Sequence, residues 1–134
     1  MSNLPARPAV NETSKKVSQS FPRDARLLKH ADFQVVYKQG RKHFSGNMMA
    51  FYRESDRPSG PRVGFTVGKV LGGAVVRNRI RRRMRALVRQ HLSELAKPLD
   101  LVLHPRKSVL TLKFAQLDKE ISQVFAAVQR GQAR

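Results

Sequence analysis

The chain has 134 residues, 27 Lys plus Arg against 9 Asp plus Glu, a formal charge of +18, and no cysteine. That length holds one modest core but not two ordinary domains, and the missing cysteine excludes disulfides, thiolate metal sites and cysteine nucleophiles. A cationic excess of this size repels itself, so it points to a polyanionic partner, with nucleic acid foremost.

Residues 1–20 are rich in Ser, Asn, Pro and Lys without periodicity and are expected to form a disordered tail. A single domain is expected over 21–129, with residues 130–134 frayed. No apolar run reaches the ~20 residues of a membrane span and no signal-peptide core is present, so a soluble, cytoplasmic protein with no membrane partner is expected. In ADFQVVYKQG, Phe33, Val36 and Tyr37 share one helical face and Gly40 is a plausible left-handed stop. The apolar stretch HFSGNMMAFYR predicts a strand from about Phe44 to Arg53. ESDRPSGP has the chemistry of a hairpin loop, and Val63, Phe65 and Val67 alternate in RVGFTVGK, so a second strand pairing antiparallel with the first is expected.

Gly72 and Gly73 precede the strongest helix signal, AVVRNRIRRRMRALVRQHLSEL, which Pro98 is expected to end. At 100° per residue, Val76, Ile80, Met84, Leu87, Val88 and Leu95 fall on one arc. Asn78, Arg79, Arg81, Arg82, Arg85 and Arg89 occupy the rest, with Arg83 at the boundary and Arg77 over the apolar side of the first turn. DLVLH reads as a short strand, and FAQLDKEISQVFAAV as a closing amphipathic helix with Phe114, Leu117, Ile121, Val124, Phe125 and Val128 inward. With room for one further strand, the class is α+β: a small mixed sheet of about four strands packed with three helices.

Solvated helix faces usually alternate charge signs, because opposite charges four residues apart stabilise a helix by roughly 0.2 to 0.5 kcal/mol and like pairs cost as much. Here Arg77, Arg81, Arg85 and Arg89 are consecutive like pairs, and Arg79 with Arg83 adds another. The helix therefore carries roughly 1 to 2 kcal/mol of repulsion in low salt, which a row of phosphates would reverse. Arginine sharpens this, since its planar guanidinium pairs bidentately with phosphate and stacks on bases. A membrane surface and a DNA groove are the two other placements open to a basic amphipathic helix. A membrane-surface helix would carry Trp, Phe or Leu on its apolar face, and a DNA recognition helix would follow a partner helix across a short turn.

The segment RVGFTVGKVLGGAVVRNRIRRRMR resembles the signature region of the bacterial ribonuclease P protein subunit, whose hallmark Arg-Asn-Arg is here Arg77, Asn78 and Arg79. The resemblance runs from about residue 24, through ADFQVVYKQGR and DLVLHPRKS, to about residue 128. It implies an α/β sandwich with a left-handed crossover around the arginine helix, where periodicity alone favours the right hand. It implies RNA-docking residues Arg77, Asn78, Arg79, Arg81, Arg82 and Arg85, to which the helix face adds Arg89, and a cleft presenting Phe33, Tyr37 and Phe51 to the single-stranded 5′ leader of precursor tRNA. The alternative for those aromatics is ordinary core. Family members commonly carry Ser-Lys-Lys before the helix; Gly68, Lys69 and Val70 stand here, so phosphate contacts at that end rest on Lys69. No contact is transferred to His104 or Pro105.

The carboxylates are scattered, without the close set that holds two metals in a protein nuclease, and the histidines lack ligand spacing. His91, beside the arginines, is expected to be structural rather than a general base. No catalytic or metal-binding residue is therefore assigned, and the resemblance implies that the RNA supplies the active site and uses the Mg²⁺. The expected protein is the RNA-binding subunit of ribonuclease P, a monomer in a 1:1 complex with the catalytic RNA. A structural RNA-binding protein of ribosomal type is the alternative, and a stand-alone metal nuclease a third possibility.

Overall fold

A computed structural model describes residues 25–27, 29–55 and 60–132. The expected N-terminal tail and the centre of the ESDRPSGP loop lie outside the described residues. The elements in chain order are α1 (His30–Gln39), β1 (Arg41–Phe44), β2 (Met48–Glu54), β3 (Arg62–Phe65), α2 (Ala74–His91), β4 (Leu99–Pro105) and α3 (Phe114–Gln132). Short 3-10 turns occupy Lys69–Leu71, Leu92–Glu94 and Lys107–Leu110. The three helices and four strands of the α+β expectation are all present, and α3 runs through Gln132 rather than fraying at Arg130.

The sheet order is β1-β2-β4-β3, with β1–β2 and β2–β4 antiparallel and β3–β4 parallel. The expected antiparallel pairing of β2 with β3 is therefore wrong: β4 lies between them. The physical reason lies in β4 itself, where Leu99, Leu101, Val102 and Leu103 are all buried. A strand apolar on both faces belongs in the middle of a sheet covered on both sides, not at an edge. Turn chemistry between β2 and β3 marks a reversal of direction without naming the neighbour. Because β3 and β4 are parallel, their connection must cross over, and α2 is that crossover.

The single strand expected from Phe44 to Arg53 is instead a hairpin, broken at Ser45–Asn47. Its turn is held by Glu120 of α3, a buried carboxylate that accepts from Ser45 Oγ, from the Asn47 backbone N–H at 2.8 Å and from Asn47 Nδ2 at 2.7 Å. Gly40 is also not the left-handed stop expected, since its φ is −88°. It is glycine because a Cβ there would sit 2.5 Å from both the Val36 and the Tyr52 carbonyl oxygens, which lets α1 turn directly into β1.

The two sheet faces are used differently. Met48, Ala50, Val63, Leu101 and Leu103 point to one side, where α2 and α3 close the main core with Ile80, Met84, Leu87, Ile121 and Phe125. Val102 points to the other side, where Leu27 and Val36 make a small second cluster edged by Phe33, Tyr37 and Phe51. Phe114, expected inward, is exposed at the start of α3.

Helix α2 stops at His91, seven residues before the proline expected to end it. His91 accounts for the stop: its ring bonds to Glu94 in the following turn and to Asp118 of α3. Burial pulls the imidazole pKa down, but the hydrogen bonds and charges of these two carboxylates outweigh it and hold the value above the ordinary one. A raised folded pKa gives stability that is complete below the unfolded value of about 6.5 and is lost as pH rises through the folded value. Urea denaturation should therefore show His91→Gln less stable than the parent at pH 5.5, with the gap closing toward pH 9; a gap constant with pH would refute the ion pair.

Candidate nucleic-acid interface

On α2 the apolar stripe Ile80, Met84, Leu87 and Val88 is fully buried, which turns the opposite flank to solvent. Asn78, Arg79, Arg82 and Arg85 are exposed, and Arg77, Arg81 and Arg89 are half-buried. At 1.5 Å per residue this flank is about 27 Å long. Among the described residues, no carboxylate pairs with Arg79, Arg82 or Arg85; the ion pairs there belong to Arg62 and His91. Arg81 is steered by the Asn78 side chain, whose Oδ1 accepts from Nη1 at 3.0 Å, and Arg77 Nε donates to the Gly72 carbonyl at 3.2 Å.

Arg83 differs from its neighbours. It donates to the Leu110 carbonyl at 3.0 Å and the Leu112 carbonyl at 2.7 Å, and its guanidinium lies 5.8 Å from the Phe114 ring centre. Two carbonyls and a ring occupy it, so its boundary position on the helical wheel corresponds to a structural role. Lys69 is exposed on the turn that leads into α2, beside a Val70 that is 95% exposed.

On the opposite sheet face, α1 lies over β2 and β4. Its position is fixed by Arg62 of β3, which donates from Nε and Nη2 to Asp100 of β4 at 2.8 Å each, and from Nη1 to Asp32 of α1 at 3.2 Å. Gly64 permits the close approach: a Cβ there would lie 2.7 Å from the Phe33 ring and 2.9 Å from the Leu27 carbonyl oxygen. Phe33, Tyr37 and Phe51 are brought together, half-buried, with centroids 6.4 Å apart for Phe33–Tyr37 and 5.0 Å for Tyr37–Phe51, both edge-to-face. Lys42 Nζ sits 5.7 Å from the Phe51 ring centre. The rings are thus neither sealed core nor free surface, but a partly open aromatic platform with a cation at its rim.

His104, to which the resemblance assigns no contact, completes that platform. Its ring lies 4.8 Å from Phe51 and 5.5 Å from Tyr37, and its Nε2 is 2.9 Å from the Tyr37 hydroxyl, which in turn is 2.7 Å from Thr66 Oγ1. Alternation along β4 places residue 104 on the face of Val102, a signal available beforehand. What was hidden is the register: Val102 lies opposite Phe51 and His104 opposite Met49 only because β4 pairs with β2. Among the described residues, no group of three or more His, Asp or Glu side chains is placed to hold a metal ion, and no helix is long and apolar enough to cross a membrane.

An arginine flank on the crossover helix and an aromatic cleft beneath α1 are the two features that the resemblance to ribonuclease P proteins implies. Residues 21–129 match the Ribonuclease P family. The chain belongs to the ribonuclease P protein family. Ribonuclease P protein components from Finegoldia magna and Acidothermus cellulolyticus are each 37% identical to it, over 76% and 78% of this chain and 88% of each relative. A solved Staphylococcus aureus RNase P protein superposes with a TM-score of 0.68 at 27% identity, covering 77% of this chain and 94% of that one. The Thermotoga maritima RNase P protein shares the fold at a TM-score of 0.68 and 23% identity, over 75% and 94%. The ribosomal-type alternative is not favoured by these relationships.

Burial lowers the His104 pKa below its ordinary value, so the platform holds a neutral imidazole at neutral pH. A depressed histidine contributes stability that is present above about pH 6.5 and lost as pH falls through the folded value, opposite in sign to His91. An NMR titration of the His104 ring should give a midpoint below 6.5, and a Tyr37→Phe variant should lose about 1 to 2 kcal/mol of stability through the unpaired imidazole and threonine. A midpoint above 6.5 would show that the ring is not desolvated by its neighbours.

Proposed function

We propose that the chain binds the catalytic RNA of ribonuclease P through the exposed flank of α2 and the single-stranded 5′ leader of precursor tRNA in the cleft beneath α1. A member of this family is the non-catalytic subunit of an endoribonuclease that acts as a ribonucleoprotein, so its contribution lies in binding. In this reading Arg79, Arg82 and Arg85, with Asn78, Arg77, Arg81, Arg89 and Lys69, contact RNA phosphates. Phe33, Tyr37 and Phe51 receive leader bases. The Mg²⁺ for phosphodiester cleavage is held by the RNA, and the protein acts as a cytoplasmic monomer, one per RNA.

The observation that carries the reading is the solvent-facing set Arg79, Arg82 and Arg85, which no carboxylate among the described residues neutralises. Two polyanions, substrate and ribozyme, repel each other, and a cationic rod between them screens that repulsion. Half-open rings suit a leader of variable sequence, because base–aromatic stacking contributes about 1 to 3 kcal/mol per base with little sequence preference.

If α2 neutralises roughly six phosphates, log K for RNA association should fall with log[salt] at a slope of about −4 to −5. A slope near zero would rule out phosphate-led binding. Phe33→Ala should weaken binding of a leader-bearing precursor by about tenfold, one stacking contact, and leave mature tRNA binding unchanged; equal losses for both would mean core damage. Cleavage at physiological Mg²⁺ should require both protein and RNA, and cleavage by the protein alone would overturn the assignment of catalysis to the RNA.

A further inference from the structure

Phe114 opens α3 and is 45% exposed, although the helical period points it inward. A single exposed phenyl ring is ordinary on a protein surface, so what matters is how this one is held. The Arg83 guanidinium lies 5.8 Å from its ring centre and is fixed there by the Leu110 and Leu112 carbonyls, at 3.0 and 2.7 Å. Leu110 and Leu112 are themselves packed against the main core, and Val109 beside them is fully buried. The ring and its cation are therefore presented on rigid backbone.

The charge around the ring is of one sign. The segment RKSVLTLKFAQ, residues 106–116, carries Arg106, Lys107 and Lys113, all exposed, and no acid. Among the described residues, none of the three pairs with a carboxylate. The first turn of α3 also lacks an acid, although the partial positive charge of a helix N-terminus favours one, and Lys113 immediately precedes it. The first acids of that helix are committed elsewhere, Asp118 to His91 and Glu120 to the β1–β2 turn. Cations gathered at the positive end of a helix are unfavourable for the isolated chain, and an anion reverses the sign. This surface is separate from the cleft. At 100° per residue, Arg83 lies about 160° round α2 from both Arg81 and Arg85, which share a recess with Gly64 and Phe65 of β3.

We propose that Phe114, with Arg83 against it and Lys113 beside it, is a stacking site for one unpaired nucleotide of the catalytic RNA: the base lies on the open part of the ring and Lys113 meets its phosphate. A planar base suits a ring already backed by a guanidinium, since both groups stack on nucleobases. Continuity favours the catalytic RNA over the leader. Arg83 directly follows the exposed Arg82, one turn after the exposed Arg79, whereas the leader cleft lies beneath α1 on the other sheet face. The inference rests on the reading that the α2 flank faces the catalytic RNA, and it extends that contact to the start of α3.

The test titrates catalytic RNA with the full chain across a salt series, comparing the parent with Phe114→Ala, Phe114→Trp and Lys113→Gln. Phe114→Ala should weaken assembly about tenfold, one stacking contact, at an unchanged salt slope, and Phe114→Trp should match the parent. Lys113→Gln should weaken assembly and reduce the magnitude of the slope by about one. Neither loss should alter the ratio of precursor to mature tRNA affinity in the assembled complex. Parental affinity of Phe114→Ala for the catalytic RNA overturns the site and leaves the ring to a protein partner, and a loss seen only with leader-bearing substrate overturns the assignment to the catalytic RNA. Should Phe114→Ala melt at a lower temperature, Phe114→Leu decides, because it keeps an apolar side chain against Arg83 without a π face: weaker assembly supports the site and parental affinity overturns it. An Arg82→Gln, Arg85→Gln double variant reports separately on the α2 docking surface, so its failure to weaken assembly would strike the underlying reading rather than the ring.

Discussion

The architecture depends on where a very small supply of carboxylates is placed. Only nine acidic residues face 27 cations, and the described ones are engaged mainly where elements join. Asp32 and Asp100 close on Arg62 and fix α1 to the sheet, Glu94 and Asp118 close on His91 and fix the end of α2 to α3, and Glu120 holds the β1–β2 turn. Among the described residues, no carboxylate is left to pair with Arg79, Arg82 or Arg85 on the α2 flank. Its repulsion of roughly 1 to 2 kcal/mol is tolerable against a domain stability on the order of 5 to 15 kcal/mol, because the apolar stripe of the same helix is fully buried. The acids that hold the elements together are thus engaged away from the exposed arginines Arg79, Arg82 and Arg85.

Arg62 shows how strongly the cleft depends on this economy of acids. It forms a bidentate pair with Asp100 that is almost wholly removed from solvent, with side-chain exposures of 13% and 5%. Burial at that level makes the pair costly to break, since a lone buried charge typically destabilises by about 3 to 5 kcal/mol. Asp32, more exposed, extends the pair onto α1. The register of α1 over the rings is therefore set by a charge network rooted in two strands rather than by the modest apolar face of a ten-residue helix.

Much of this was legible in the sequence where a single period governs the outcome. The 3.6-residue stripe of α2 placed Ile80, Met84, Leu87 and Val88 inward, Arg83 at the boundary and Arg77 toward the apolar side, and each is where the wheel put it. Strand partners were not legible, because alternation tells which face a residue takes and not which strand lies beside it. That one gap hid the central position of β4, and with it His104 in the aromatic cluster. Gly40 and Glu120 were opaque for a related reason: a glycine required by a distant carbonyl and an acid required by a distant turn have no local signature.

The unequal covering of the sheet ties these features to function. Two helices of 18 and 19 residues seal one face, while among the described residues the other carries α1, about 15 Å long, with Leu27 beside it. The strip toward β1 is left with Lys42 and an exposed Phe44. A longer first helix would bury Phe33, Tyr37 and Phe51 completely and add apolar burial worth about 25 cal/mol per Å². It would also remove every ring face that a nucleobase could reach. Under the proposed function, the short helix is thus a stability concession of the kind that binding surfaces commonly make, because it keeps the three rings half-open.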